Sequence, residues 1–198
     1  MELSELGITI GFMFLMCWSP GPNTILCAAH GTIHGFKSTL KLIFGQGVGF
    51  FLVGMAIALS MDIIENYSVV MFTLKYVGAA YILYLSVKIA KSPVTKSEQT
   101  NEDLLGFKTG ATMQLVNPKS FVYFTLLISI YSTRVGEGVS IKIMIICIST
   151  VIGVASVLFW AYFGSKIKKL LSDQNKAKKM NIILGILLAL VVVNILFQ

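Results

Sequence analysis

The chain has 198 residues, 56% of them hydrophobic and 13% charged, with a formal net charge of +7. Its mean hydropathy is +0.81, which leaves too few polar residues to cover the core of a water-soluble domain. The apolar residues gather into runs of about 20 or more, the length that crosses a bilayer as helix, so the composition excludes a soluble globular domain and predicts an all-α membrane protein.

Six runs are read in chain order: Leu6 to Ala28, Leu40 to Met61, Tyr67 to Ile89, Leu105 to Tyr131, Ile143 to Phe163 and Met180 to Phe197. The first contains MCWSPGPNTIL, which places two prolines, a glycine and an asparagine inside an apolar stretch, and the fourth contains NPKS. The N-terminus carries Glu2 and Glu5 and lacks the positive region of a cleaved signal peptide, so the first run is read as a retained span. Between the third and fourth runs lies a polar segment with a Ser-Pro pair, and no stretch outside the runs is long enough to fold as a second domain. The reading is one transmembrane domain, 1–198, with pseudo-repeats 1–90 and 104–198 joined by a cytoplasmic loop, 91–103. Cys17, Cys27 and Cys147 all fall in apolar runs and read as small buried hydrophobes rather than a disulfide framework.

The cations explain the charge. Twelve lysines flank the first, third and fifth connections, whereas the second connection has Asp62 and Glu65 and the fourth only Arg134 and Lys142. Lys and Arg collect in cytoplasmic loops, so both termini are expected outside a bacterial plasma membrane. Anionic lipid is a partner, and nucleic acid is not.

Three spans per half invert the second half relative to the first. Ser19 lies 13 residues after Leu6 and Asn117 lies 12 after Leu105, so both breaks fall about 18–20 Å from their entry faces, near the middle of a ~30 Å core. The expected fold is therefore six transmembrane helices in two inverted three-helix repeats, the first and fourth helices broken. Matched interruptions in inverted halves point to a transporter's binding site. Pro20 and Pro22 donate no hydrogen bond to the carbonyls of Met16 and Trp18, and Pro118 none to Gln114. Freed carbonyls receive an ammonium, while half-helices starting near Asn23 and Lys119 offer N–H groups to a carboxylate, with Gly21 allowing a sharp turn. The alternative is a proline kink patched by neighbouring helices.

SPGPN (19–23), GTIHGFKSTLKLIFGQGVG (31–49), LKYVGAAYILYLS (74–86) and GATMQLVNPKSFVYF (110–124), in this order and spacing, resemble the lysine-exporter (LysE/RhtB) family of bacterial amino-acid efflux proteins over nearly the full length. The resemblance implies amino-acid export without ATP hydrolysis by this chain, and places Pro20, Gly21, Pro22, Asn23, Asn117, Pro118 and Lys119 around the pathway. Two departures stand out. Members often carry an aspartate just after the glycine ladder, where this chain has Phe50, and no acidic residue lies inside any run; the last span keeps only Gly185 and Asn194 as notable features.

Lys75 and Lys119 are the only charges deep in a run, and an intramembrane charge is a functional hypothesis by default, with snorkelling as the alternative for Lys75. The substrate-binding set therefore includes Lys75. Two fixed cations without a carboxylate favour neutral amino acids such as threonine, homoserine or leucine over lysine or arginine. Gly45, Gly47, Gly49 and Gly54 read as helix-packing positions; Gln46 and Gln114 either line the path or bond across helices. Cys27, His30 and His34 share a spacing that suits a soft metal, but no fourth ligand or acid accompanies them, and the plainer reading is a pair of solvated loop histidines. No metal site, cofactor or catalytic motif is expected, and the chain does not read as an enzyme. Export of a small, neutral amino acid by alternating access is the expected function. The alternatives are a cadmium or zinc exporter on a related scaffold and a membrane-embedded enzyme or assembly factor; a homo-oligomer is left open. The orientation is tested with single cysteines placed at Ser97 and Asp62 in a cysteine-free background: in intact cells an impermeant thiol reagent should label position 62 and spare position 97, and the reverse pattern would invert the topology.

Overall fold

The structure, a computed structural model, describes residues 3–19, 21–64, 68–91, 104–136, 138–170 and 174–197. Among these the chain is helical throughout. Helix α1 spans Leu3–Trp18 and α2 Pro22–His34, separated by the Ser-Pro-Gly break. Helices α3 (Phe36–Ile64) and α4 (Ser68–Ala90) follow. The second interruption divides α5 (Phe107–Leu115) from α6 (Pro118–Leu126), which continues through a π-helical turn, Leu127–Tyr131, into the short α7 (Ser132–Val135). Helices α8 (Val139–Leu170) and α9 (Gln174–Phe197) complete the chain. Both breaks sit where the sequence places them, with a proline at the first turn of α2 and of α6, where its missing N–H has no partner to lose.

The surface is that of a protein in lipid. Phe44, Leu59 and Val151 are 68%, 73% and 70% exposed, while Thr24, Gln46, Asn117, Ser149 and Ser156 are buried. Phe36–Ser60 and Val139–Ile167 are each long and apolar enough to cross a membrane.

The histidine segment departs from expectation. α2 runs on to His34, and His30 is fully buried rather than solvated. Its Nδ1 pairs with Thr39 Oγ1 at 2.9 Å, and its Nε2 accepts the Leu105 N–H at 3.1 Å. An acceptor at Nε2 requires the proton on Nδ1, so one ring joins α2, α3 and the entry to α5. Gly35, at φ 87°, makes the α2–α3 turn in a conformation that disfavours a side chain, its N–H bonded to Gly31 O at 2.9 Å.

Packing is closest in two helix pairs. On α2 and α8, a Cβ added at Gly31 would overlap Ala161 O, and one at Gly164 would overlap Ala28 O; Thr32 Oγ1 donates to Gly164 O at 3.0 Å across the same contact. On α3 and α5, a Cβ at Gly45 would overlap Phe107 O and one at Gly110 would overlap Leu42 O. Each pair unites a helix that precedes residue 91 with one that follows residue 104. One apolar cluster, including Leu26, Leu42, Met113 and Ala161, fills this half of the bundle. A second, including Met13, Ile57, Phe124 and Ile145, fills the half toward which α1 begins. Alanine at Gly45, Gly110 or Gly164 should therefore cost about 1–3 kcal/mol through overpacking. At Gly7 or Gly11, where nothing lies within 4 Å of the added atom, it should be neutral or gain up to about 1 kcal/mol of helix propensity. Thermal denaturation of the purified variants in detergent reads the contrast.

Candidate functional site

Between the two clusters, where both helix breaks meet α3 and α8, lies a cavity of about 60 Å³, room for about four or five water-sized groups. Of the residues read from the sequence, Gly21, Pro22, Asn23, Asn117 and Lys119 line it. Pro118 opens α6 beside Asn117. Pro20 lies outside the described residues, and so does the side chain of Lys75 on α4. Gln46 and Gln114, left undecided between pathway and packing, both line the cavity. Sequence reasoning missed Cys17, Tyr123 and the α8 wall of Gly153, Val154 and Val157; Tyr123 stands inside the FVYF of a recognised motif, whereas nothing local marks the α8 residues.

The two breaks are joined by one side chain. Lys119 Nζ donates to Ser19 Oγ at 2.8 Å and to Ser19 O at 3.2 Å, across 100 residues of chain. An ammonium has three N–H donors; these bonds use two of them. Ser19 Oγ in turn donates to Met16 O at 2.9 Å, so the carbonyl deprived by Pro20 is met locally rather than left open. The same holds at the second break, where the Asn117 N–H reaches Gln114 O at 3.4 Å. Ser156 Oγ of α8 donates to Cys17 O at 2.9 Å. The breaks thus retain fewer bare carbonyls than their prolines alone imply.

Their helix N-termini differ. α6 is capped: Asn117 Oδ1 accepts the Lys119 N–H at 3.1 Å. α2 begins after Gly21, which has no side chain to cap with, and the nearest hydroxyl, Thr24 Oγ1, accepts from Gly21 N–H and donates to Gly21 O. The Lys119 side chain lies over this N-terminus, its Nζ 3.3 Å from where a Gly21 Cβ would stand. Free N–H groups and the positive end of the helix dipole therefore coincide with an ammonium, which favours an anion there. Asn23 Oδ1 is buried without a hydrogen-bond partner, an acceptor at the same helix end. Gln114 Oε1 takes the Ser120 hydroxyl at 2.6 Å, and Tyr123 bonds Ser149. No Asp or Glu is among the lining residues.

Cys27 donates to Gln46 Oε1, both His30 nitrogens are engaged, and no group of three potential metal ligands occurs among the described residues.

The LysE type translocator profile matches residues 6–198, and thus both breaks and every wall of the cavity. The chain belongs to the LysE type translocator family. Family members are transporters, and the chain is similar to curated relatives along almost all of its length. The Cysteine/O-acetylserine efflux protein of Salmonella paratyphi A is 29% identical over 189 residues, covering 94% of each chain. The protein of the same name in Escherichia coli K12 is 28% identical over 189 residues with the same coverage. No solved structure matches the chain.

Removal of the α6 cap has a defined cost. Asn117→Ala should lower stability by about 1 kcal/mol, and Asn117→Ser, which restores an N-cap oxygen, should recover most of it; chemical or thermal denaturation in detergent distinguishes the two variants.

Proposed function

We propose that the chain exports a small neutral amino acid across the bacterial plasma membrane by alternating access, with the cargo held between the two broken helices. The observation that carries this reading is the Lys119 ammonium over the uncapped start of α2, with no carboxylate lining the cavity. A free amino acid supplies the missing anion. Its carboxylate takes the remaining Lys119 donor and the α2 N–H groups, and its ammonium takes Asn23 Oδ1. The curated relatives carry cysteine and O-acetylserine in their names, both small and neutral at the side chain.

In this reading α1 and α2 form the first span, α5 to α7 the fourth, and α3, α4, α8 and α9 the other four, arranged as two inverted repeats with both termini outside. Support comes from the matched break positions, each with a proline at the first turn of the following helix, and from the distribution of lysines along the sequence. The half of the bundle tightened by Gly31, Gly45, Gly110 and Gly164 then faces the cytoplasm.

A cationic side chain on the cargo meets Lys119 without an acidic partner. Two unit charges 6 Å apart repel by about 3 kcal/mol at an effective dielectric of 20, about a hundredfold in affinity. In loaded proteoliposomes, cysteine, O-acetylserine and threonine should therefore outcompete lysine and arginine at equal concentration. Lys119→Met should reduce export of the neutral cargo at least tenfold while the protein remains inserted. Preferential export of lysine by the wild type would overturn the reading.

A further inference from the structure

One donor in the cavity wall has a position and an orientation but no partner. Gln46 on α3 is 1% exposed and lines the cavity. Its Oε1 accepts the Cys27 thiol at 3.2 Å, and Cys27 is itself fully buried in α2. That bond commits the amide carbonyl to α2 and leaves the NH₂ outside it. The Nε2 atom is buried with no hydrogen-bond partner. A buried donor left unmade is costly and calls for an explanation.

Several other polar atoms of the wall are engaged. Gln114 Oε1 is held by Ser120, the Tyr123 hydroxyl by Ser149 and Asn117 Oδ1 by the Lys119 N–H, while Ser19 and Lys119 bond each other. Of the fully buried side-chain atoms on lining residues, two lack a partner, the acceptor Asn23 Oδ1 and the donor Gln46 Nε2. With Lys119 they offer three kinds of contact: a cation, an acceptor and a donor. The α-carboxylate and α-ammonium of an amino acid use the first two, and the third remains for its side chain. Gly45 and Gly47 on either side bring α3 into close contact with α5 and α8, so Gln46 stands on rigid backbone.

We propose that Gln46 reads the cargo side chain, selecting amino acids that present a hydrogen-bond acceptor (a hydroxyl, ester or thioether) over hydrocarbons of the same shape, with Cys27 as the residue that positions the amide. This rests on the export reading above and deepens it, separating threonine- or O-acetylserine-like cargo from leucine-like cargo. A site built to hydrogen-bond a polar group discriminates strongly against an analogue lacking it, because the protein group is then left unpaired, whereas an apolar pocket discriminates weakly between the same two molecules.

Homoserine and norvaline differ by a hydroxyl in place of a methyl, and their efflux from loaded proteoliposomes gives the test. The wild type should export homoserine about tenfold or more faster than norvaline at subsaturating concentration. Gln46→Met, close in length and volume, should bring the ratio to within about twofold while norvaline export persists. Cys27→Ala should lower the ratio, and Cys27→Ser, which keeps a donor toward Oε1, should restore it. A general loss of stability would instead slow both amino acids alike. Equal export of the two by the wild type overturns this inference alone and needs no variant to fold, and an unchanged ratio in inserted Gln46→Met also overturns it. Export of neither overturns the export reading and this inference with it.

Discussion

The structure turns on an ammonium group placed where hydrocarbon surrounds the bundle. Lys119 has no carboxylate in the cavity to neutralise it, and it is satisfied instead by the hydroxyl and carbonyl of Ser19, in the other half of the chain. Hydrogen bonds to a charged group are worth about 1.5–3 kcal/mol each, and stranding the charge would cost more. The contact is available only because α1 stops at Trp18 and exposes the backbone of Ser19. An unbroken helix would tie that carbonyl into its own ladder. The two interruptions therefore depend on each other, and the site lies where they meet.

The surrounding packing makes that meeting point rigid. α2 with α8, and α3 with α5, touch through backbone at Gly31, Gly164, Gly45 and Gly110, where even a methyl group has no room. In a bilayer, where apolar side chains gain little by leaving lipid, such close approach is a main source of helix association. On the other side of the cavity the contact changes character. Phe12 and Phe50 stack on Tyr123, and Phe124 tilts against Phe50, so helices meet there through rings rather than through backbone. The two kinds of contact flank the cavity.

Phe50 follows the glycine ladder and brings a ring, not an acid, to the cavity wall. It belongs to the aromatic layer and packs against Gly153 of α8. In the proposed loaded site the charge balance is set by Lys119 and the cargo carboxylate. Selectivity there falls to uncharged groups, the amides of Asn23 and Gln46, whose unpaired hydrogen-bonding atoms complement a zwitterion with a polar side chain.

Much of this was legible in the sequence, because it follows from covalent facts. A proline has no N–H wherever it occurs, so Pro22 and Pro118 mark helix starts; long apolar runs mark spans; and a lysine inside such a run marks a charge that must be accounted for. Contacts between helices are a different matter. Ser19 as the partner of Lys119, Cys27 as the orienter of Gln46, and Gly153 and Val157 as wall residues each depend on which helix faces show toward one another, and no local period encodes that. The histidines make the point most plainly: read along the chain, His30 and His34 beside two glycines suggest a solvated loop, yet the Leu105 N–H, 75 residues away, requires an acceptor and finds it in His30. The sequence by itself determined where the helices break and which charge lies between the breaks. The tertiary structure alone decided which groups satisfy that charge and which remain open to a cargo, because hydrogen-bond partners inside a bundle are chosen by proximity in space.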